Sequence, residues 1–473
     1  MIMEINEIMQ QAVMAAADYS QYDQASTDAI VKAVFEASFN QRVYLAKLAQ
    51  EETGIGRWED KVVKNVLASQ LVYEDIKDEK TVGIIRDDKI TGIVEIAQPM
   101  GPILAIIPVT NPTSTTIFKI LISLKSRNPI IICPSKKAIR SCSETAEICY
   151  NAAIAAGAPE GCIQWLTSVT REQTAELMSH KSLSLILATG GSGLVKSAYS
   201  SGTPSIGVGA GNVPVFIESS ADIPFAVEQI LMSKTFDNGT VCASEQAVIV
   251  EKNISEKVKA EFILQGAKIL NSEETFKLSN IAIDPKSGTM NPAIVGKSAK
   301  FIADLAEISV EEDTRLLIAP LDGVGNDFPL SNEVLAPILG FYEVNDFESA
   351  LRTCIKLNYH GGVGHSASIF SNDEEKILYF AMHMNAGRIV VNTPSSQGAV
   401  GGMFNRLSPS LTLGCGTGGK NITTDNVSAR NLLNIQRIAR RRVNERFIKF
   451  DKSLYLNPDL ESDDVLKKYN RNF

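Results

Sequence analysis

The chain has 473 residues, of which 44% are hydrophobic and 21% charged, and its formal net charge is −8. This length favours about two or three domains, and the composition is typical of a globular protein with a large core. The acidic balance argues against a nucleic-acid partner, because phosphate backbones are bound by clustered positive charge.

The N-terminal segment and the cysteines narrow the class further. We recognise no signal peptide, and no apolar run reaches the roughly 18–20 residues that span a bilayer. The seven cysteines are irregularly spaced and there are only four histidines, so we expect neither a disulfide framework nor a metal site. These features favour a cytoplasmic protein with no membrane partner, in which most cysteines are small buried residues.

The first half of the chain alternates between helical and strand-like patterns. Apolar residues at helical spacing predict helices over 8–53 and 62–73, and β-branched runs predict strands further on. The predicted strands are 90–96, 103–109, 129–133, 163–166 and 183–188, and the helices between them are 113–126, 144–156 and 172–178. Such alternation indicates a parallel sheet with right-handed crossovers.

A second alternating stretch predicts another α/β domain from about 232 to 405. Its predicted helices are 224–236, 255–270, 301–305 and 347–357, and its strands are 247–250, 315–318, 367–370 and 389–392. A loop rich in glycine, serine and threonine follows at 408–419. The arginine cluster at 437–442 is interpreted as a solvated helix face.

Three segments carry residues that suit chemistry. Cys242 follows an Asn-Gly turn between a predicted helix and strand, where a partly exposed thiolate could act as a nucleophile; the alternative is a buried structural cysteine. Gly190 and Gly191 lie in a strand-to-helix turn that suits phosphate, or simply a tight turn. Asn111 lies between a strand and a helix, where its amide could face an oxyanion or cap the turn.

Six motifs in combination resemble one family. They are Thr110-Asn111-Pro112-Thr113, the turn at 188–193, Gly207-Val208-Gly209-Ala210-Gly211-Asn212, the Cys242 segment at 236–245, Gly364-His365-Ser366 and the loop at 410–416. The chain resembles the aldehyde dehydrogenase superfamily over roughly residues 5–445, and within it the coenzyme A-acylating branch. That branch includes acetaldehyde dehydrogenases of ethanolamine and propanediol utilisation and the aldehyde half of bifunctional aldehyde-alcohol dehydrogenases.

The resemblance implies an α/β protein with the aldehyde dehydrogenase-like fold. This fold has a Rossmann-like cofactor domain, an α/β catalytic domain and a small β oligomerisation element. We therefore divide the chain into four predicted parts. They are 1–231 (N-terminal helices and dinucleotide-binding domain, with oligomerisation strands near 90–97), 232–405 (catalytic domain with the nucleophilic cysteine), 406–445 (return segment and oligomerisation arm) and 446–473 (C-terminal tail).

The resemblance also implies a role for each matching residue. Cys242 matches the nucleophile, Asn111 the oxyanion-binding amide, and Glu333 the carboxylate that holds the nicotinamide ribose. His365 matches a histidine implicated in the acylating branch; the alternative is a histidine that only satisfies a local hydrogen bond. The other residues predicted to bind the cofactor are Thr110, Pro134, Ser135, Thr189, Gly190, Gly191, Gly207 and Gly209.

Two departures from related patterns bear on the substrates. Hydrolytic aldehyde dehydrogenases have a water-activating glutamate, in a Glu-Leu-Gly-Gly motif, where this chain has Gly207-Val208-Gly209-Ala210. Because a thiol is a far better nucleophile than water near neutral pH, the missing base predicts coenzyme A as the acyl acceptor. Acylating relatives often have Pro-His-Pro at the position of Pro134-Ser135-Lys136. A lysine there could meet a 2′-phosphate, so NAD is preferred and NADP stays open.

The expected reaction converts a short-chain aldehyde, coenzyme A and NAD into acyl-CoA and NADH through a cysteine thioester. Acetaldehyde is the default substrate, and propionaldehyde, succinate semialdehyde and sulfoacetaldehyde are alternatives; Arg406 could suit an anionic one or lie on the surface. A hydrolytic enzyme and an inactive scaffold are the competing functions. No alcohol dehydrogenase half is expected.

The resemblance further implies assembly as a homodimer or homotetramer. An N-terminal helix with Ile2, Ile5, Met9 and Val13 on one face could associate with a bacterial microcompartment, or could be an ordinary packed helix.

Overall fold

The computed structural model describes residues 5–168, 170–284 and 288–471. These residues form two compact units. One comprises the chain up to Thr81 together with Pro99–Leu433, and the other comprises Val82–Gln98 together with the chain from Asn434. The first unit contains two parallel sheets and every site residue discussed below.

The strands, in chain order, are β1 (Gly83–Asp88), β2 (Ile93–Pro99), β3 (Ile103–Ile106), β4 (Ile130–Cys133), β5 (Ile163–Trp165), β6 (Leu185–Thr189), β7 (Ser205–Val208), β8 (Val213–Ile217), β9 (Glu245–Glu251), β10 (Ala267–Ile269), β11 (Leu316–Pro320), β12 (Ile338–Val344), β13 (Ala367–Phe370), β14 (Ile389–Val391) and β15 (Leu433–Ala439).

The α-helices are α1 (Ile5–Tyr19), α2 (Gln24–Asn40), α3 (Arg42–Thr53), α4 (Trp58–Val66), α5 (Val72–Ile76), α6 (Pro112–Lys125), α7 (Ile139–Ala155), α8 (Arg171–Met178), α9 (Ser192–Tyr199), α10 (Ile223–Thr235), α11 (Lys252–Leu264), α12 (Ser272–Ala282), α13 (Ala299–Leu305), α14 (Phe347–Gly361), α15 (Glu374–His383), α16 (Ser395–Val400), α17 (Glu445–Lys449) and α18 (Ser462–Arg471). A π-helical turn at Leu67–Leu71 joins α4 to α5. None of the described helices is both long and apolar enough to cross a bilayer.

The five-stranded sheet has the order β5-β4-β3-β6-β7, and all neighbouring strands are parallel. Every residue of β3 and β4 is buried, as expected for strands covered by helices on both faces. The chain moves outward from β3 to β5 and then crosses to β6, so the strand order reverses between β3 and β6. Open α/β sheets bind ligands outside the carboxyl ends of the strands at such a reversal.

Helix α6 fixes the geometry of this reversal. All its residues are buried, and Pro112 begins it, where proline costs no intrahelical hydrogen bond. The ammonium of Lys119 donates to the carbonyl oxygens of Ile106 and Leu187, each at 2.8 Å. Because those carbonyls belong to β3 and β6, the buried lysine fastens the helix to both strands that flank the crevice.

The seven-stranded sheet has the order β10-β11-β12-β9-β8-β13-β14 and is also parallel throughout. Its central strand β9 follows directly after the Cys242 segment, which connects it to α10. The second unit contains the three-stranded sheet β1-β2-β15.

The predicted α/β class with parallel sheets is confirmed, and the loop at 408–419 contains a short 3₁₀ turn at Thr417–Gly419 and an isolated β-bridge from Leu413 to Asn426. The helix predicted at 255–270 is wrong at its end, because Gly266 adopts a left-handed φ of 92° and β10 begins at the next residue. The arginine cluster is exposed as expected, but the predicted helix face is wrong, because the cluster begins within strand β15 and continues beyond its end.

The predicted domain division at 231/232 stays a prediction; β8, a strand of the seven-stranded sheet, precedes it. Ile2, which we assigned to an N-terminal helix face, lies outside the described residues.

Candidate active site

Two loops at the carboxyl edge of the five-stranded sheet frame the crevice. Asn111 ends the loop after β3, and Gly190 and Gly191 form the turn between β6 and α9. A Cβ added at Gly191 would meet no atom within 4 Å, and the buried hydroxyl of Thr189 has no hydrogen-bond partner among the described residues. The open backbone, the unpartnered hydroxyl and the start of α9 together fit the pyrophosphate of a dinucleotide.

The other residues predicted at the cofactor site follow or belong to strands of the same sheet: Thr110, Pro134, Ser135, Gly207 and Gly209. Gly207 has no room for a side chain, because a Cβ there would lie 2.7 Å from Cγ1 of Val195 and 2.9 Å from the hydroxyl of Tyr199. A glutamate at this position therefore requires Tyr199 to move. The structure thus gives a packing reason for glycine at the start of the motif where hydrolytic relatives have their base.

Cys242 lies in a pocket beside the crevice. Asp237 and Asn238 have left-handed φ angles of 49° and 51°, which turn the chain out of α10. The pocket encloses about 600 Å³, including its open mouth, and Cys242, Asn111, Thr189 and Lys64 line it together. Most of the remaining lining is apolar: Leu67, Phe236, Val241, Val400, Met403 and Leu413.

Cys242 is the only half-exposed cysteine among the seven; the other six are buried, as predicted. Nε2 of His365 lies 3.3 Å from its sulfur, and Nδ1 of His365 lies 3.1 Å from the Ser366 hydroxyl. The guanidinium of Arg388 donates to the carbonyl oxygen of His365 at 2.9 Å and to that of Gly414 at 2.6 Å. The sulfur is therefore held by an imidazole whose own backbone is fixed by a buried cation.

Glu333 accepts a hydrogen bond from the backbone of Gly211, which packs against Cys242. Its Oε1 accepts the N–H of Gly211 at 2.8 Å. A Cβ on Gly211 would lie 2.1 Å from the carbonyl oxygen of Cys242 and 3.2 Å from Cδ2 of His365. Only glycine permits this approach, so the segment after β7 is packed directly against the nucleophile.

At neutral pH the electrostatics of the site keep the Cys242 thiol and the His365 imidazole uncharged and leave Glu333 near its titration midpoint. Burial raises the pKa of the Cys242 thiol to about 12, and the neighbouring Glu333 and Cys415 add to the rise. Burial and the positive charge of Arg388 lower the pKa of His365 to about 3. Burial raises the pKa of Glu333 to about 7, although the Gly211 N–H and Lys234 oppose that rise.

A buried ion cluster on the other side of the pocket was not predicted from the sequence. Lys64 of α4 donates to the side-chain oxygen of Asn111 at 2.6 Å and pairs with the carboxylate of Asp237. Lys61, one helical turn earlier, pairs with the same carboxylate at 2.9 Å and donates to the carbonyl oxygen of Thr110 at 3.0 Å. No sequence signal joins a lysine of α4 to the Cys242 segment, which lies 173 residues further on.

The structure thus brings Cys242, Asn111 and Thr189 to one pocket, with His365 in contact with the sulfur. Their catalytic and binding roles stay predictions. Arg406 is exposed and does not line the pocket. No group of three or more histidine, cysteine or acidic side chains that could hold a metal ion occurs in the part of the chain that the structure describes.

Comparison with known proteins gives matches along nearly the whole chain. Residues 2–405 match the model of the aldehyde dehydrogenase family. The bifunctional aldehyde-alcohol dehydrogenase of Escherichia coli (strain K12) is 44% identical over 458 residues, which cover 96% of this chain and 51% of that protein. The chain therefore spans about half the length of such curated relatives.

Two solved structures are similar in fold. An acetylating aldehyde dehydrogenase from Geobacillus thermoglucosidasius matches with a TM-score of 0.90 and 47% identity, over 93% of this chain and 96% of that one. A propionaldehyde dehydrogenase from Rhodopseudomonas palustris, solved with bound CoA and an acylated cysteine, matches with a TM-score of 0.83 and 25% identity, over 93% of this chain and 97% of that one.

Proposed function

This chain is a member of the aldehyde dehydrogenase family, and we propose that it oxidises a short-chain aldehyde with NAD and transfers the acyl group to coenzyme A. The observation that carries the proposal is that Cys242, the one partly exposed cysteine residue, lines the same pocket as Asn111, while no carboxylate is among the described residues lining that pocket. No carboxylate of the described chain lines the pocket where the thioester would form, so a water molecule there has no lining base to activate it, and a second thiol is the favoured acceptor. The similarity to an acetylating enzyme and to one with bound CoA supports this choice.

In the proposed reaction Cys242 attacks the aldehyde carbon, and the Asn111 amide donates to the oxygen that becomes negative. Nε2 of His365 keeps the sulfur aimed into the pocket, and the proton that the thiol gives up passes to a carboxylate, a role we propose for Glu333 beside its predicted contact with the nicotinamide ribose. The bound NAD, which the turn at Gly190 and Gly191 would hold, supplies the hydride acceptor. The coenzyme A thiol then gives up its proton as it forms a new C–S bond, the bond to Cys242 breaks, and the leaving Cys242 sulfur takes up a proton, so that the complete reaction releases one proton to solvent.

The pocket favours an uncharged aliphatic aldehyde. Its lining is mostly apolar, and its cation, Lys64, is engaged by Asp237, Thr240 and Asn111. An anionic substrate such as succinate semialdehyde or sulfoacetaldehyde would bury a carboxylate or sulfonate without a free partner, which is costly. Acetaldehyde, and next propionaldehyde, are therefore the substrates we propose. Either NAD or NADP is compatible with the exposed Lys136 near the predicted ribose site.

One assay tests this function directly. The protein is incubated with acetaldehyde and NAD, with and without coenzyme A, and the products are identified by mass spectrometry. We expect acetyl-CoA and NADH in equal amounts, and loss of aldehyde-dependent NADH formation in Cys242→Ala. Acetate formed equally well without coenzyme A indicates the hydrolytic alternative, and a folded protein with no turnover on any aldehyde indicates an inactive scaffold.

We also propose a cytoplasmic homodimer or homotetramer, which could associate with a microcompartment. Support for assembly comes from the second unit, whose sheet exposes apolar side chains on β1, β2 and β15: Ile84, Ile93 and Ile438. Apolar side chains on a small sheet with open edges favour burial against another copy. Light scattering of the purified chain would measure the assembly.

A further inference from the structure

The ammonium of Lys64 is rigidly placed beside the predicted oxyanion-binding amide. Its partners are the carboxylate of Asp237, the carbonyl and hydroxyl oxygens of Thr240 at 3.2 and 3.1 Å, and Oδ1 of Asn111 at 2.6 Å. The side chain of Lys64 is only 6% exposed and that of Asp237 is fully buried. The ammonium of Lys64 is therefore held beside Asn111 by these contacts.

This contact, together with the Thr240 carbonyl, fixes the orientation of the Asn111 amide. An ammonium only donates, so the amide oxygen must face Lys64 and the amide nitrogen must face the other way. Nδ2 of Asn111 lies 3.1 Å from the Thr110 hydroxyl and 3.2 Å from the carbonyl oxygen of Thr240, two residues before Cys242. Without Lys64, rotation of the amide would present its oxygen to the oxyanion, where it repels instead of donating.

We propose that Lys64 is a positioning residue for the oxyanion: it holds Oδ1 of Asn111 on its own side, keeps the amide N–H groups on the side of the Thr240 backbone that leads to Cys242, and polarises those N–H groups through the charge beside Oδ1. The inference rests on the proposed function, since it assumes that a carbonyl oxygen becomes negative beside Cys242. A donor with a cation on its oxygen end is stronger, because hydrogen bonds in series polarise one another. Lys64 acts through Asn111 and needs no contact with the substrate.

The test is a double-mutant cycle between Lys64→Met and Asn111→Ala, measured as kcat/KM for CoA-dependent acetaldehyde oxidation. Removing one oxyanion donor typically costs about 10²–10³-fold, and we expect Lys64→Met to cost about 10–100-fold through the misplaced amide. If Lys64 acts through Asn111, the double variant is no slower than Asn111→Ala alone. Multiplying losses, or an unchanged rate in Lys64→Met, would overturn the inference.

A matched control separates positioning from folding. Lys61 lies on the same helix, is equally buried and pairs with the same Asp237 carboxylate, but it does not contact the Asn111 side chain. We expect Lys61→Met to lower the unfolding temperature at least as much as Lys64→Met and to lower kcat far less. Equal losses of kcat in both variants would mean that Lys64 serves only stability. A wild-type chain that forms no acyl-CoA would instead refute the proposed function, not the geometry of the amide.

Discussion

The Cys242 thiol should react unusually slowly with alkylating reagents when the protein has no bound ligand. Burial, Glu333 and Cys415 raise its pKa to about 12, against about 9 for an ordinary cysteine. At pH 8 the thiolate fraction is then lower by about a thousandfold. A more basic thiolate is also more nucleophilic, with a Brønsted slope of about 0.4–0.5, which recovers roughly 15–30-fold. We therefore expect alkylation of Cys242 to be roughly 30–60-fold slower than that of a small free thiol.

The assay is pseudo-first-order modification by iodoacetamide between pH 7 and 10, with Cys242 followed by peptide mass spectrometry and Cys242→Ala as the blank. The rate should rise about tenfold per pH unit with no plateau, because the folded-state pKa lies above the whole range. Glu333→Gln should speed the reaction, since its carboxylate opposes the thiolate. A plateau below pH 9, or a rate above that of the free thiol, would refute the electrostatic reasoning.

Three further substitutions have definite expected outcomes. Gly211→Ala should lower kcat by about 100-fold, because its Cβ would lie 2.1 Å from the Cys242 carbonyl oxygen and displace the nucleophile. In Glu333→Gln the fall of kcat/KM as pH drops through about 7 should disappear, since the pKa of that carboxyl is raised to about 7 in the wild type. Burial raises the pKa of Glu218, but hydrogen bonds from Lys376, Ser220 and Ser219 outweigh burial and hold that pKa at about 2. Glu218→Gln should therefore lower the free energy of unfolding by about 2 kcal/mol at pH 7, after discounting for the partly exposed Lys376. The difference between the urea midpoints of the wild type and the variant should narrow below pH 4.5, where the wild type loses that stabilisation.

The parallel sheets could be predicted because their strands are short, continuous apolar runs between helices. The strand β12 was missed, although it pairs with the central strand β9, because glycine, tyrosine and glutamate interrupt its apolar run. The error at 255–270 was avoidable, since Gly266 is the kind of residue that ends a helix. Where a segment's pattern was mixed, only the pairing partner decided its structure.

The residues of the site likewise divide into those that the sequence could predict and those that it could not. Cys242, Asn111 and His365 could be named because they lie in motifs, each specific over a few neighbouring residues. Lys64 could not, because its function depends on one carboxylate that only the folded chain brings near. In sequence, Asp237 resembles a turn residue, and nothing local shows that its side chain is buried between two lysines.

In the proposed reaction the proton of Cys242 must leave, and the group that contacts its sulfur at 3.3 Å is the neutral imidazole of His365. The pKa of His365, about 3, lies so far below that of the thiol, about 12, that a full transfer costs on the order of 12 kcal/mol. Transfer to Glu333, with a pKa of about 7, costs on the order of 7 kcal/mol. We therefore propose that His365 aims the sulfur rather than taking its proton, and that the carboxylate of Glu333 takes the proton instead. Over a full cycle Cys242 and coenzyme A each give up one thiol proton and Cys242 regains one, so one proton is released to solvent for each NADH formed.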